Sequence, residues 1–167
     1  YLTGFRAAAF EPDPGLLREA THGVSVNRLG ALGIALWLNG DRLAAPSHHS
    51  FLKGWMGDCV YFLKGERQEV QTVWLSLWER PAMARAFCRA ARRRLKEDFE
   101  DTPVALQRDG ARVTIVWGGA DAAACERLMA CARRSRVDAQ RPGWLASVTR
   151  DLPLPLRLPR YPAFSSG

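Results

Sequence analysis

Hydrophobic and polar positions along the chain fall into two rounds of one pattern. Asp58 to Leu63 and Glu69 to Trp78 are apolar-rich runs of strand length, separated by Lys64-Gly65-Glu66-Arg67, whose glycine suits a tight bend. That arrangement predicts a β-hairpin. After Glu79-Arg80-Pro81, the residues Ala84, Phe87, Cys88, Ala91, Leu95 and Phe99 recur every three or four positions, the spacing that gathers side chains on one helical face. Val104 to Arg108 and Arg112 to Trp117 form a second pair of β-rich runs joined at Asp109-Gly110, a dipeptide suited to a two-residue turn. Gly118-Gly119 ends the second run, and Asp121 is placed to cap a helix with Ala124, Cys125, Leu128, Cys131 and Ala132 on one side. The expected fold class is α+β: two tandem ββα units forming a four-stranded, mainly antiparallel sheet with both helices on one face.

The flanks read differently. Tyr1 to Phe10 has no period and is expected to be extended. Asp13-Pro14 offers a cap with proline at the first helical position, predicting a short helix to about His22 that Gly23 ends. Val24-Ser25-Val26 is too short to assign. From Asn27 as a cap, Leu29, Leu32, Leu36 and Trp37 mark a second helix, interrupted by Gly30 and Gly33 and closed at Asn39-Gly40. Asp41 to Ser50 is a loop or a short polar helix. From Asp151, prolines at alternate positions forbid a helix. Leu152, Leu154, Leu156 and Leu158 alternate, so an extended arm would present leucine on one side and is expected to dock on this protein or on a partner. The organisation expected is an N-terminal helical segment over 1–50, a tandem ββα domain over 51–137 and an extended arm over 138–167.

At 167 residues, 47% of them apolar, the chain is long enough to bury a core of its own. No apolar run reaches the ~18 residues that a membrane-spanning helix needs, and no secretory signal stands at the start. A chain that begins at Tyr1 rather than methionine is expected to be a processed product or part of something longer.

The quoted segments resemble the C-terminal portion of a family of secreted bacterial metallopeptidases and lipoproteins. Complete members of that family carry an upstream zinc-protease helix. The similarity runs through Tyr1-Leu2-Thr3-Gly4, Leu29-Gly30-Ala31-Leu32-Gly33, Gly54-Trp55-Met56-Gly57-Asp58, Thr72-Val73-Trp74 to Trp78, Ala84 with Phe87, and Val113 to Gly118. Ala31 and Met83 stand where the family usually has acidic residues. The resemblance implies an exported protein and a structural role for Gly54, Trp55, Gly57, Asp58, Trp78 and Phe87. It implies zinc only in an upstream part, because His22, His48 and His49 do not make the His-Glu-x-x-His pattern.

Other catalytic patterns are missing as well. There is no Gly-x-Ser-x-Gly elbow, Walker loop or Gly-x-Gly-x-x-Gly fingerprint, so no catalytic residue, metal ligand or cofactor is assigned to this chain. Gly118-Gly119 before a helix could hold an anion, although a plain strand-to-helix turn explains it too. Asp58 is expected to tie down the Gly54 to Gly57 turn by local hydrogen bonds. The cysteines, Cys59, Cys88, Cys125 and Cys131, lack a Cys-x-x-Cys pair; a disulfide from Cys88 to Cys125 or Cys131 and buried free thiols both fit helices lying side by side.

A net charge of +7 adds a competing idea. Arg85, Arg89, Arg92 and Lys96 share the face opposite the apolar stripe of the first long helix, making either a solvated outer face or a surface for an anionic partner. A nucleic-acid-binding sheet also displays exposed aromatics; Tyr61, Phe62, Trp74, Trp78 and Trp117 are available, at most half of them able to face away from the helices, and core packing explains them as well. Three functions follow. One is a non-catalytic accessory domain of an exported peptidase-like protein, docking on another chain or on an upstream part of its precursor through its sheet platform and leucine arm. Another is a basic module for an anionic polymer or nucleic acid. The last is one part of a metallopeptidase whose zinc lies upstream.

Overall fold

The computed structural model describes residues 8–40, 49–65 and 69–138. Both anticipated hairpins are present: β3 (Trp55–Lys64) with β4 (Val70–Trp78), and β5 (Val104–Asp109) with β6 (Arg112–Trp117). The apolar stripe after Pro81 lies on α3 (Pro81–Asp98), and the second stripe lies on α4 (Ala122–Arg134). Asp121 caps α4 by accepting the Ala124 N–H at 2.7 Å, which satisfies one of the donors a helix start leaves free.

The fold class is α+β, with antiparallel pairing throughout the described strands. Two details of the sequence expectation are corrected. The main sheet has five strands, because β2 (Val24–Asn27) adds to the edge of β3 and gives the order β2-β3-β4-β6-β5. The helices do not share a face. Cys59, Tyr61, Val73, Leu75 and Val116 pack with α4 and Leu16, whereas Val60, Trp74, Trp78, Val113 and Ile115 pack with α3 and with Ile34 and Leu38. Neighbouring residues on a strand point to opposite sides, so these two groups lie on opposite faces. The sheet is sandwiched between α1 (Pro14–Arg18) with α4 and α2 (Gly30–Asn39) with α3. Val73 to Ser76 are accordingly all buried in β4, as happens where helices cover both sides. Helices thus cover both sides of the central strands.

Around this layer, β1 (Ala9–Glu11) pairs with β7 (Arg136–Asp138) in a small second sheet. α1 starts at Pro14 under its Asp13 cap, as expected, but ends at Arg18 rather than near His22. The arm residues Leu152, Leu154, Leu156 and Leu158, together with Tyr1 to Gly4 and His48, lie outside the described residues.

Candidate functional site

The stretch from Gly54 to Asp58 begins where a 3-10 turn (Ser50–Gly54) passes into β3. Gly54 accepts the Glu79 N–H at 2.7 Å, and a side chain there would collide with the sulfur of Met83. At Gly57 a Cβ would come within 2.7 Å of the Ala8 backbone, where β1 crosses and the Ala8 N–H bonds to Met56 at 2.8 Å. Trp55 pairs with Trp78 across the hairpin, and the Trp78 ring lies 4.7 Å from that of Phe87. Gly54, Trp55, Trp78 and Phe87 therefore lie where α3 joins the sheet, whereas Gly57 faces the backbone of Ala8.

Asp58 is fully buried and does something other than hold that turn. Its carboxylate accepts the Leu29 and Gly30 N–H groups, each at 2.9 Å, and the Trp74 indole N–H at 3.2 Å. Leu29 itself makes no side-chain cap, so a residue of β3 caps α2 from far along the chain. Both oxygens are engaged, which commits this carboxylate to folding rather than to proton transfer.

The cysteines are all free and buried. Cys88 lies on the α3 side of the sheet and Cys125 and Cys131 on the α4 side, so of the two alternatives the sequence left open the structure has buried free thiols, the sheet separating the helices a disulfide would have joined. Burial pushes the Cys59 thiol up to about 11 and raises those of Cys88 and Cys125. Thiolates, the nucleophilic form, are disfavoured there at neutral pH. Among the described residues no cluster of three His, Cys, Asp or Glu is placed to hold a metal, and these residues do not fit a zinc centre.

The outer face of α3 is another matter. Arg85, Arg89, Arg92 and Lys96 are exposed, and so is Arg93, which the sequence reading left out. From Arg85 to Lys96 the row extends about 16 Å at 1.5 Å per residue. Among the described residues none of the five makes an ion pair; on the same helix Arg94 does, with Asp98 at 2.7 Å and Glu97 at 3.5 Å. Like charges three and four apart oppose a helix, so the inner stripe must outweigh them. Of the five aromatic residues singled out in the sequence, Tyr61, Trp74 and Trp78 are buried and Phe62 and Trp117 are half-buried.

A family model described as a domain of unknown function, DUF8575, matches residues 19–129. The chain belongs to that family. The DUF8575 match begins just before β2 and ends within α4, so it takes in the five-stranded sheet with α2 and α3. It omits β1 and β7. No curated protein and no solved structure matches the chain.

Proposed function

We propose that this DUF8575 domain is a non-catalytic module that binds an anionic polymer along the outer face of α3. The observation carrying the proposal is the row of exposed cations that have no acidic partner among the described residues, beside an Arg94 that does. A straight row of charges suits a linear polyanion such as a phosphate backbone. With Trp74, Trp78 and Tyr61 buried, bases have no exposed indole or phenol of these three to stack on, so binding should be indifferent to sequence.

The accessory role in an exported, peptidase-like protein rests on the segments that resemble that family, with another chain or an upstream part of the precursor as its partner. A His-Glu-x-x-His helix ahead of Tyr1 would tie it to a zinc enzyme.

Anisotropy titration of a labelled polyphosphate and a labelled single-stranded DNA tests the binding. Log affinity should fall against log salt with a slope of about −3 to −4, as neutralising that many phosphates implies. The triple variant Arg85→Glu, Arg92→Glu, Lys96→Glu should abolish it. A flat salt response, or full affinity in the triple variant, would sink the proposal.

A further inference from the structure

Between the 3-10 turn and α3 lies a groove of about 350 Å³, to which two cations of the row, Arg89 and Arg93, contribute. His49 and Ser50 form one wall and Arg89 and Arg93 the other, above Phe51 and Ala90. Arg89 and Arg93 are one helical turn apart, so both guanidinium groups can reach the same opening. No carboxylate lines it among the described residues. His49 is half-buried, its ring 5.0 Å from that of Phe51, so the imidazole has a fixed neighbour to rest on.

This donor set has a chemical preference. One arginine fork satisfies a carboxylate, whereas a phosphomonoester has three terminal oxygens and close to two negative charges. Two guanidinium groups, a hydroxyl and an imidazole supply enough donors for such a group. The apolar floor would meet the carbon next to it.

We propose that the groove formed by His49, Ser50, Arg89 and Arg93 is a binding site for a phosphomonoester group. This rests on the reading of α3 as an anion-binding helix and adds a discrete, one-ligand site at its flank. His49 would report occupancy. Burial and the nearby Arg93 hold its pKa below the usual histidine value, and a bound dianion would favour the imidazolium and raise it. Among the described residues the charged side chains lining the groove with His49 are Arg89 and Arg93.

Phenyl phosphate is the probe, with benzoate as control, followed by NMR titration of the His49 ring signals, assigned with His49→Gln. Phenyl phosphate should raise the His49 titration midpoint. Arg93→Gln and Ser50→Ala, checked for an unchanged melting temperature, should weaken binding, the arginine change by at least about tenfold. The Arg85→Glu, Arg92→Glu, Lys96→Glu variant should keep it. A 5′-phosphorylated oligonucleotide binding more tightly than its 5′-hydroxyl twin would place the group at the end of the polymer; phenyl phosphate binding without that difference would make it a small molecule. Equal responses to benzoate, no shift at His49, or binding that survives Arg93→Gln would overturn the site. If polyphosphate still binds in that event, the row on α3 stands without it. Phenyl phosphate binding without polyphosphate binding would leave the groove and remove the row.

Discussion

The two long helices are similarly rich in arginine and use it differently. On α4, Arg134 is paired with Asp13 at 3.1 Å, tying the helix to the cap of α1. Its last carbonyls receive Arg112 from β6, which donates to Ser135 at 2.8 Å, to Arg133 at 3.4 Å and to Ala132. A cation at a helix C-terminus complements the helix dipole. On α3, Arg94 is the one cation held by an ion pair among the described residues, and the others on that helix are exposed. The inner faces differ in degree: α3 packs with the mutually contacting rings of Phe51, Trp74 and Trp78, and the α4 side is built of leucines, valines and Cys59 with the rings of Phe10 and Tyr61 among them. Large interlocking rings can hold a helix whose outside is repulsive. Arg134 and Arg112 therefore serve the fold at the end of α4, where Arg127 and Arg133 are exposed like the row on α3.

The largest effect expected is at the ring cluster. Phe87→Ala should lower stability by about 3–5 kcal/mol in urea unfolding, at or above the loss of about 2–5 kcal/mol for Leu128→Ala on the other face. A clearly greater loss at Leu128 would mean that the rings are not what anchors α3. Asp58→Ala should cost about 2–4 kcal/mol, because three donors lose their acceptor. Amide exchange at Leu29 and Gly30 should speed up with it, and unchanged protection would show that α2 is capped by something else.

Arg112→Met removes the donor to three carbonyls at the end of α4 and should cost about 1–2 kcal/mol. Reversing Arg85, Arg92 and Lys96 to glutamate should change stability by no more than about 0.5 kcal/mol per site while abolishing polyanion binding; Arg134→Gln should leave that binding intact. Loss of binding in Arg134→Gln, with the fold preserved, would erase the division between the helices.

The smallest effect is pH-dependent. The hydrogen bond from Arg134 holds the Asp13 carboxyl below its ordinary value of 3.8. A depressed folded pKa stabilises the protein above the unfolded value, and the contribution disappears as pH falls through the folded one. Wild type should therefore melt slightly higher than Asp13→Asn at pH 6, with the gap closing toward pH 2. A gap that persists there would assign it to the cap rather than to the charge.

Much of the secondary structure was legible because its causes are local. The stripe from Ala84 to Leu95, the caps at Asp13 and Asp121 and the bend at Asp109-Gly110 each act within a few residues. The second covered face had a sign in the sequence too. In Val73-Trp74-Leu75-Ser76-Leu77-Trp78 apolar residues occupy both parities, and a strand with one wet side would alternate. β2 was too short to stand out, and its pairing with Val60 to Leu63 is fixed by the sheet edge it meets.

The sequence by itself determined which residues turn inward on α3 and α4, and that the cations of α3 gather on the side away from its apolar stripe; on α2 it pointed to Leu32 and Leu36, which are exposed, while Ile34, Ala35 and Leu38 are buried. Only the tertiary structure decided that α3 and α4 take opposite sides of the sheet, that Asp58 caps a helix 28 residues before it, and that Arg112 closes the end of α4. Periodicity reports which side of an element avoids water. It carries no information about which other element, distant along the chain, supplies the cover or the missing hydrogen-bond partner.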